Sequence, residues 1–334
     1  MVKRKLFCCI LLLILCTGQC FAQQDYIKWV DFDVSYEAME AALAIDIRTQ
    51  GEEKPLSWID ILALAATRCG SGKFSVKAVQ QAAAELAKDQ SPKEFLGEQY
   101  QYFQYYQQAY GAVLGGLVGN YAIQKPDGSW QAAYGIKAFS PIAAGYWYSH
   151  CDDFGVSRSY GFRRKHLGND LMGSLGTPII AVESGTVEAL GWNQYGGWRV
   201  GIRSLDKKRY YYYAHLRKDT PYAPGLEEGD FVSAGEVIGF MGRTGYSTRE
   251  NTNNIETVHL HFGLQLIFDE SQKECDSEIW VNAYPIVRLL SSHRSTVVQN
   301  ADTGVWERVY PYRDLDAETK KVRLRRLAGA QIFV

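Results

Sequence analysis

The run Thr257-Val258-His259-Leu260-His261-Phe262-Gly263-Leu264-Gln265-Leu266 alternates polar and apolar side chains. Successive strand residues point to opposite faces, so Val258, Leu260, Phe262, Leu264 and Leu266 face a core while His259 and His261 stand side by side on the other face. The whole chain has 6 histidines, and this strand holds two of them. Neighbouring imidazoles on an open strand face predict a metal or catalytic site.

The same texture extends on either side. Thr177 to Ala181, Gly185 to Leu190, Trp198 to Arg203, Arg209 to Leu216, Val232 to Met241 and Val258 to Phe268 read as strands punctuated by Gly, Asp, Asn and Ser. The spacing, with glycine-rich connections in place of crossover helices, suits an antiparallel sandwich or barrel more than a βαβ fold. The N-terminal part differs, and residues 25 to about 122 read as helical. Ser57-Trp58-Ile59-Asp60 and Ser91-Pro92-Lys93-Glu94 have the spacing of capping boxes, and Val76, Val79, Ala83, Leu86 and Ala87 recur at helical intervals. The aromatic stretch Tyr100 to Tyr110 is expected to be a packed helix face. The fold class is therefore α+β. The expected organisation is a leader at 1–22, a helical domain at 23–145, an all-β domain at 146–290 and an extension at 291–334, whose basic Arg323-Leu324-Arg325-Arg326-Leu327 reads as a solvated or packed tail.

The first residues have the order of a secretory signal: Met1-Val2-Lys3-Arg4-Lys5, an apolar run from Leu6 to Leu15, then Cys20-Phe21-Ala22 before Gln23. The apolar run is shorter than the roughly 20 residues of a spanning helix, so membrane contact is expected only if the leader is retained. The chain has 36 basic and 37 acidic side chains, and the leader takes three basic ones with it. The acidic excess that remains argues against a nucleic-acid surface. Four of the 7 cysteines also lie in the leader, leaving Cys69, Cys151 and Cys275, enough for one bridge at most. No Cys-x-x-Cys pair occurs, which excludes a thiolate zinc knuckle.

His166-Leu167-Gly168-Asn169-Asp170 offers an imidazole and a carboxylate just before the strand at Thr177. A catalytic zinc takes three such ligands and keeps one position open, so His166 and Asp170 would supply two and His261 is the candidate third. His259 on the same face, and His215 in Tyr211-Tyr212-Tyr213-Ala214-His215-Leu216, remain for proton transfer. Simple alternation makes Tyr211, Tyr213 and His215 the outward positions of that run. His150 and His293 lie outside these motifs and read as ordinary surface or core residues. Two loops are expected to shape a cleft, Arg243 to Glu256 and Trp192 to Trp198, with the aromatics of the second either lining a groove or packing around a glycine turn.

The His-x-Gly-x-Asp at 166–170, Tyr-Ala-His-Leu at 213–216 and His-Leu-His at 259–261, in this order, resemble the LytM and lysostaphin-type zinc endopeptidases that cut bacterial peptidoglycan. Gly176 to Ala181, Gly185 to Val187, Gly229 to Val232 and Gly235 to Gly239 extend the resemblance, which covers roughly residues 152 to 270. It implies a LytM-type fold, one zinc per chain on His166, Asp170 and His261, and catalytic roles for His215 and His259. It also implies an exported bacterial cell-wall hydrolase acting on peptidoglycan stems or bridges without an organic cofactor. The alternative is a non-catalytic wall-binding or regulatory protein that retains the fold. The helical part is either independent of the cleft or a pro-region that covers it.

Overall fold

Ser35 accepts the Ala38 amide through its hydroxyl and starts α1 (Tyr36–Thr49). This computed structural model describes residues 26–159, 163–273 and 275–321, so the expected leader and the basic run at 323–327 lie outside the described residues. Helices α2 (Trp58–Cys69), α3 (Val76–Leu86), α4 (Pro92–Leu96) and α5 (Tyr100–Leu114) follow. Helix α2 is buried from Ile61 to Thr67, as befits the centre of a bundle. The expected capping box at Ser57 is not formed. Asp46 of α1 takes the Trp58 amide at 2.7 Å instead, and Asp60 accepts from Gln107 at 2.7 Å. At Ser91 the reciprocal bond is present, with its amide donating to Glu94 at 2.9 Å. The aromatic stretch of α5 is a packed face: Phe103, Tyr106 and Tyr110 are buried, and Tyr110 meets Phe32 edge-on at 5.5 Å.

Helical structure ends earlier than the sequence pattern suggests. Val118–Gln124 and Trp130–Ile136 form an antiparallel hairpin around Pro126-Asp127-Gly128, and the strand Tyr312–Asp314 pairs with its first arm. The Pro-Asp-Gly turn is a signal from which this hairpin could have been read. The C-terminal segment is thus woven into the protein through buried Asp314, which accepts from Lys137 at 2.9 Å and from Ser184 at 2.8 Å.

The β part is a mixed α+β chain's antiparallel half: seven strands run in the order Phe231–Val232, Gly185–Asn193, Gly197–Ser204, Arg209–Ala214, His259–Leu266, Asn169–Gly173 and Tyr148–His150, with Ile279–Val281 pairing beside the far end of His259–Leu266. A smaller pair, Pro178–Ile180 with Val237–Phe240, contributes Ile179 and Ile238 to the same buried cluster. One sheet face is apolar, with Val200, Ile202, Leu260, Phe262, Leu264 and Leu266 buried as alternation requires. The other face carries the site. Cys69, Cys151 and Cys275 are free thiols, so the single possible bridge is not made.

Helix α5 is fastened to this sheet by a side chain. Arg209, wholly buried, donates to the carbonyls of Gly111 and Ala112 at 3.3 and 2.7 Å and to Glu183 at 2.7 and 3.1 Å. Gly111 also accepts the Gly115 amide at 3.0 Å, so it is the Ala112 carbonyl, without a backbone donor in the last turn, that Arg209 satisfies, and a cation there also suits the helix dipole.

Candidate metal centre and cleft

Strand register assembles the site. His261 lies opposite Asp170 on one side and opposite Ala214 on the other, and His259 lies opposite Met172. Asn169–Gly173 is therefore itself a strand, additional to those read from the sequence. Its pairing with the His-Leu-His strand brings two motifs 91 residues apart into hydrogen-bonding distance.

Asp170 Oδ1 stands 3.0 Å from His166 Nε2 and 3.0 Å from His261 Nδ1, and the two ring nitrogens are 2.9 Å apart. The Asp153 carbonyl, 3.1 Å from His166 Nδ1, can only accept, so Nδ1 carries a proton, and Nε2, facing Asp170, would offer its lone pair where a metal takes the place of the proton between them. Three donors of the N, N, O kind meeting at one point could hold a metal ion, and imidazole nitrogen and carboxylate oxygen are donor types that zinc accepts. Burial pushes the His166 imidazole down, but its hydrogen bond to Asp170 and the charges of Asp170 and Asp153 outweigh this and leave its pKa raised. Burial likewise pushes the Asp170 carboxyl up, yet hydrogen bonds from His166 and His261 hold it far below the usual carboxylate range. His261 is lowered by burial despite the Asp170 bond. Arg158, which the sequence reading did not single out, reaches Asp170 Oδ2 at 3.1 Å and Asp153 at 2.6 Å.

His215 and His259 pack next to the three donors, their rings 4.8 Å apart, and the His215 ring is 5.8 Å from that of His261. Each anchors Nδ1 on a backbone carbonyl: Thr244 at 2.9 Å for His215 and Thr257 at 2.8 Å for His259. Nε2 of both is then the unprotonated atom. Burial, with the charges of His259 and His261, pushes the His215 imidazole well below its ordinary value.

Alternation does not explain how His215 reaches the site. Tyr211 and Tyr213, expected to point outward with it, are buried in the core, where their hydroxyls donate to Glu183 at 2.7 Å and accept the Val182 amide at 3.0 Å. The cleft side of that strand carries Tyr210 and Tyr212. The strand ends at Ala214, and His215 takes φ +61°, a left-handed conformation costly for a residue with a Cβ. That backbone reversal turns its ring onto the face of His259 and His261.

The donors open into a cleft of about 1050 Å³. Both expected loops border it and are joined, with the Tyr246 amide on the Tyr195 carbonyl at 3.3 Å and Ser247 on Gln194 at 2.9 Å. Tyr195 and Tyr246 line the cleft, whereas Trp192 and Trp198 pack on each other, 5.7 Å apart and edge to face. His150 and His293 stay outside: His150 Nδ1 lies 2.6 Å from Asn169 Oδ1, and His293 donates to the Ala138 carbonyl at 2.7 Å.

The sequence profile of peptidase family M23 matches residues 164–274. An L-Ala–D-Glu endopeptidase of Bacillus subtilis is 38% identical over 117 residues, 35% of this chain and 34% of the relative. Lysostaphin of Staphylococcus staphylolyticus is 38% identical over 98 residues, 29% of this chain and 18% of the relative. The chain thus spans about a third or less of the length of these relatives. The crystal structure of a lytM protein from Ruminococcus gnavus aligns with 80% of this chain and 91% of its own, at a TM-score of 0.53 and 26% identity, so the likeness in fold extends beyond the profile-matched segment. The motifs, the paired strands that unite them and the likeness to these proteins together make residues 164–274 a peptidase family M23 domain of the LytM and lysostaphin type.

Proposed function

We propose that the protein is an exported bacterial zinc metalloendopeptidase that hydrolyses peptide bonds in peptidoglycan stems or cross-bridges. The observation that carries this reading is the convergence of His166 Nε2, Asp170 Oδ1 and His261 Nδ1 within 2.9 to 3.0 Å, beside two further imidazoles. These three residues would hold one zinc per chain. Zinc bound there supplies Lewis acidity, polarising the scissile carbonyl and making water a better nucleophile near neutral pH.

The chain's own groups do the rest. With Nδ1–H fixed on Thr244 and Thr257, His215 and His259 present Nε2 to the cleft and can take a proton from the attacking water. The imidazolium so formed then donates that proton to the leaving amine. Asp153 and Arg158 orient His166 and Asp170. The domain organisation fits a β domain bearing the site and a helical domain tied to it through Arg209.

Purified chain without residues 1–22 should contain one zinc and release soluble peptides from bacterial walls, identified by mass spectrometry. Chelation should stop release and added zinc restore it. Absence of stoichiometric zinc, or release indifferent to chelation, would overturn the proposal. His259→Ala should abolish turnover while keeping zinc; a wall-binding protein without catalysis would show no turnover to lose.

A further inference from the structure

The cleft is lined by more cations than its own acids neutralise. Arg158 is paired with Asp153 and Asp170, and Lys273 with Glu188, while Lys165 is exposed at the rim. Arg164 and Arg199 also line it, and neither makes an ion pair with any described carboxylate. In both, Nε is buried and has no hydrogen-bond partner. A guanidinium is a five-donor group that matches a carboxylate through two parallel N–H bonds. Holding two of them half-dehydrated without an anion is unfavourable unless a ligand brings one.

Their position relates them to the chemistry. Tyr213 pairs with Val200 and Ala214 with His261, so continuing the register by one residue sets Arg199 beside Ala214 in the row that runs Asp170, His261, Ala214. Two strand spacings, about 10 Å, separate Arg199 from His261, with Ala214, Gly196 and the Tyr212 ring lying between or beside them. Arg164 comes from a different strand, Arg163–Lys165. Its guanidinium lies over the rings of Tyr246 and Tyr195 at 5.0 and 5.6 Å and donates to the Tyr246 hydroxyl. Both cations flank Tyr212, whose ring meets His261 edge-on at 5.9 Å; burial raises the Tyr212 phenol, and Arg199 and Arg164 oppose that rise. The acids that share the cleft are engaged or remote: Glu188 on Lys273 and Arg203, Glu278 on the Trp280 indole at 2.7 Å, and Glu256 exposed at the edge.

We propose that Arg164 and Arg199 form a carboxylate-binding subsite beside the metal donors, so that the cleft selects peptides with a free carboxylate near the cut bond over uncharged ones. The inference rests on the peptidase reading for its catalytic consequence, but the binding it asserts can be measured alone. Two synthetic wall-stem peptides serve as probes, identical except that a glutamate α-carboxylate in one is a carboxamide in the other. Calorimetry on the zinc-loaded His259→Ala protein should show the carboxylate peptide binding on the order of tenfold tighter. Arg164→Gln and Arg199→Gln, added singly, should each shrink this ratio, and together bring it near unity with zinc content unchanged. Arg199→Lys, which keeps the charge and loses the fork, should retain part of it.

With active protein the same preference should appear in kcat/KM, mainly through KM. Equal binding of the two peptides, preference for the carboxamide, or a ratio that both glutamine variants leave intact would overturn the subsite. Hydrolysis of both peptides at equal kcat/KM would leave the peptidase reading standing without it. Carboxylate-selective binding with no hydrolysis would do the reverse.

Discussion

Gly168 lies directly beneath the ring of His261: a Cβ at that position would stand 2.6 Å from both Cε1 and Nε2 of the imidazole and 2.9 Å from the Phe262 carbonyl. The glycine of His-x-Gly-x-Asp is thus required by close approach, since no real Cβ tolerates such distances. Gly168→Ala must displace the His261 ring and with it Nδ1. Zinc affinity should fall by roughly tenfold or more, as when an orienting contact of a metal ligand is lost. Competition with a chelating dye measures it, and unchanged affinity would show that the ring has room.

His215 should separate backbone cost from chemical role. Its φ of +61° suits glycine, so His215→Gly should be more stable than His215→Ala by about 1 kcal/mol in urea unfolding. Both should lose wall hydrolysis by a hundredfold or more, the usual scale for a proton-transfer group. Equal stabilities would mean that the backbone relaxes once the imidazole is gone.

Arg209 and Glu183 test the fastening of α5 to the sheet. Arg209→Met strands the buried Glu183 carboxylate and frees the Ala112 carbonyl, a loss of about 3 to 5 kcal/mol. Adding Glu183→Gln should recover part of that, because the second substitution removes the unpaired charge. Additive losses from the two substitutions would refute the coupling. Limited proteolysis should find new cleavage between the helices and the sheet in the single variant.

The same network predicts an acid limb of stability. Burial pushes the Asp206 carboxyl up, but the charge of Arg209 and bonds from Ser204 and Lys208 prevail and bring it to about 2, against 3.8 for a free carboxyl. The unfolded chain therefore takes up this proton first as pH falls. Its contribution is complete above pH 3.8 and is lost on the way down through about 2. Asp206→Asn should flatten the pH dependence of unfolding in that window and leave the slope above pH 5 unaltered.

Much of the fold could be read from local pattern. Alternation in Val258 to Leu266 separated core from cleft, and the helical intervals of Val76 to Leu86 and the aromatic face of α5 gave packed helices. Where a residue's neighbours in sequence compete with distant ones, local pattern failed. Ser57 lost its cap to Asp46, and the 118–136 hairpin, although marked by Pro-Asp-Gly, owes its third strand to residues 312–314.

The sequence by itself named the candidates for the site, because His166, Asp170, His215, His259 and His261 fall in short motifs whose spacing survives any fold. It also fixed which face of the His259–Leu266 strand enters the core, since a period of two leaves no other choice once one side is apolar. Only the tertiary structure decided that Asp170 stands opposite His261, that the left-handed turn at His215 brings its ring around while Tyr211 and Tyr213 go inward, and that Arg164 and Arg199 meet the cleft with no described carboxylate paired to them. Those relations depend on strand register and on one backbone dihedral, both set by the packing of segments far apart in the chain.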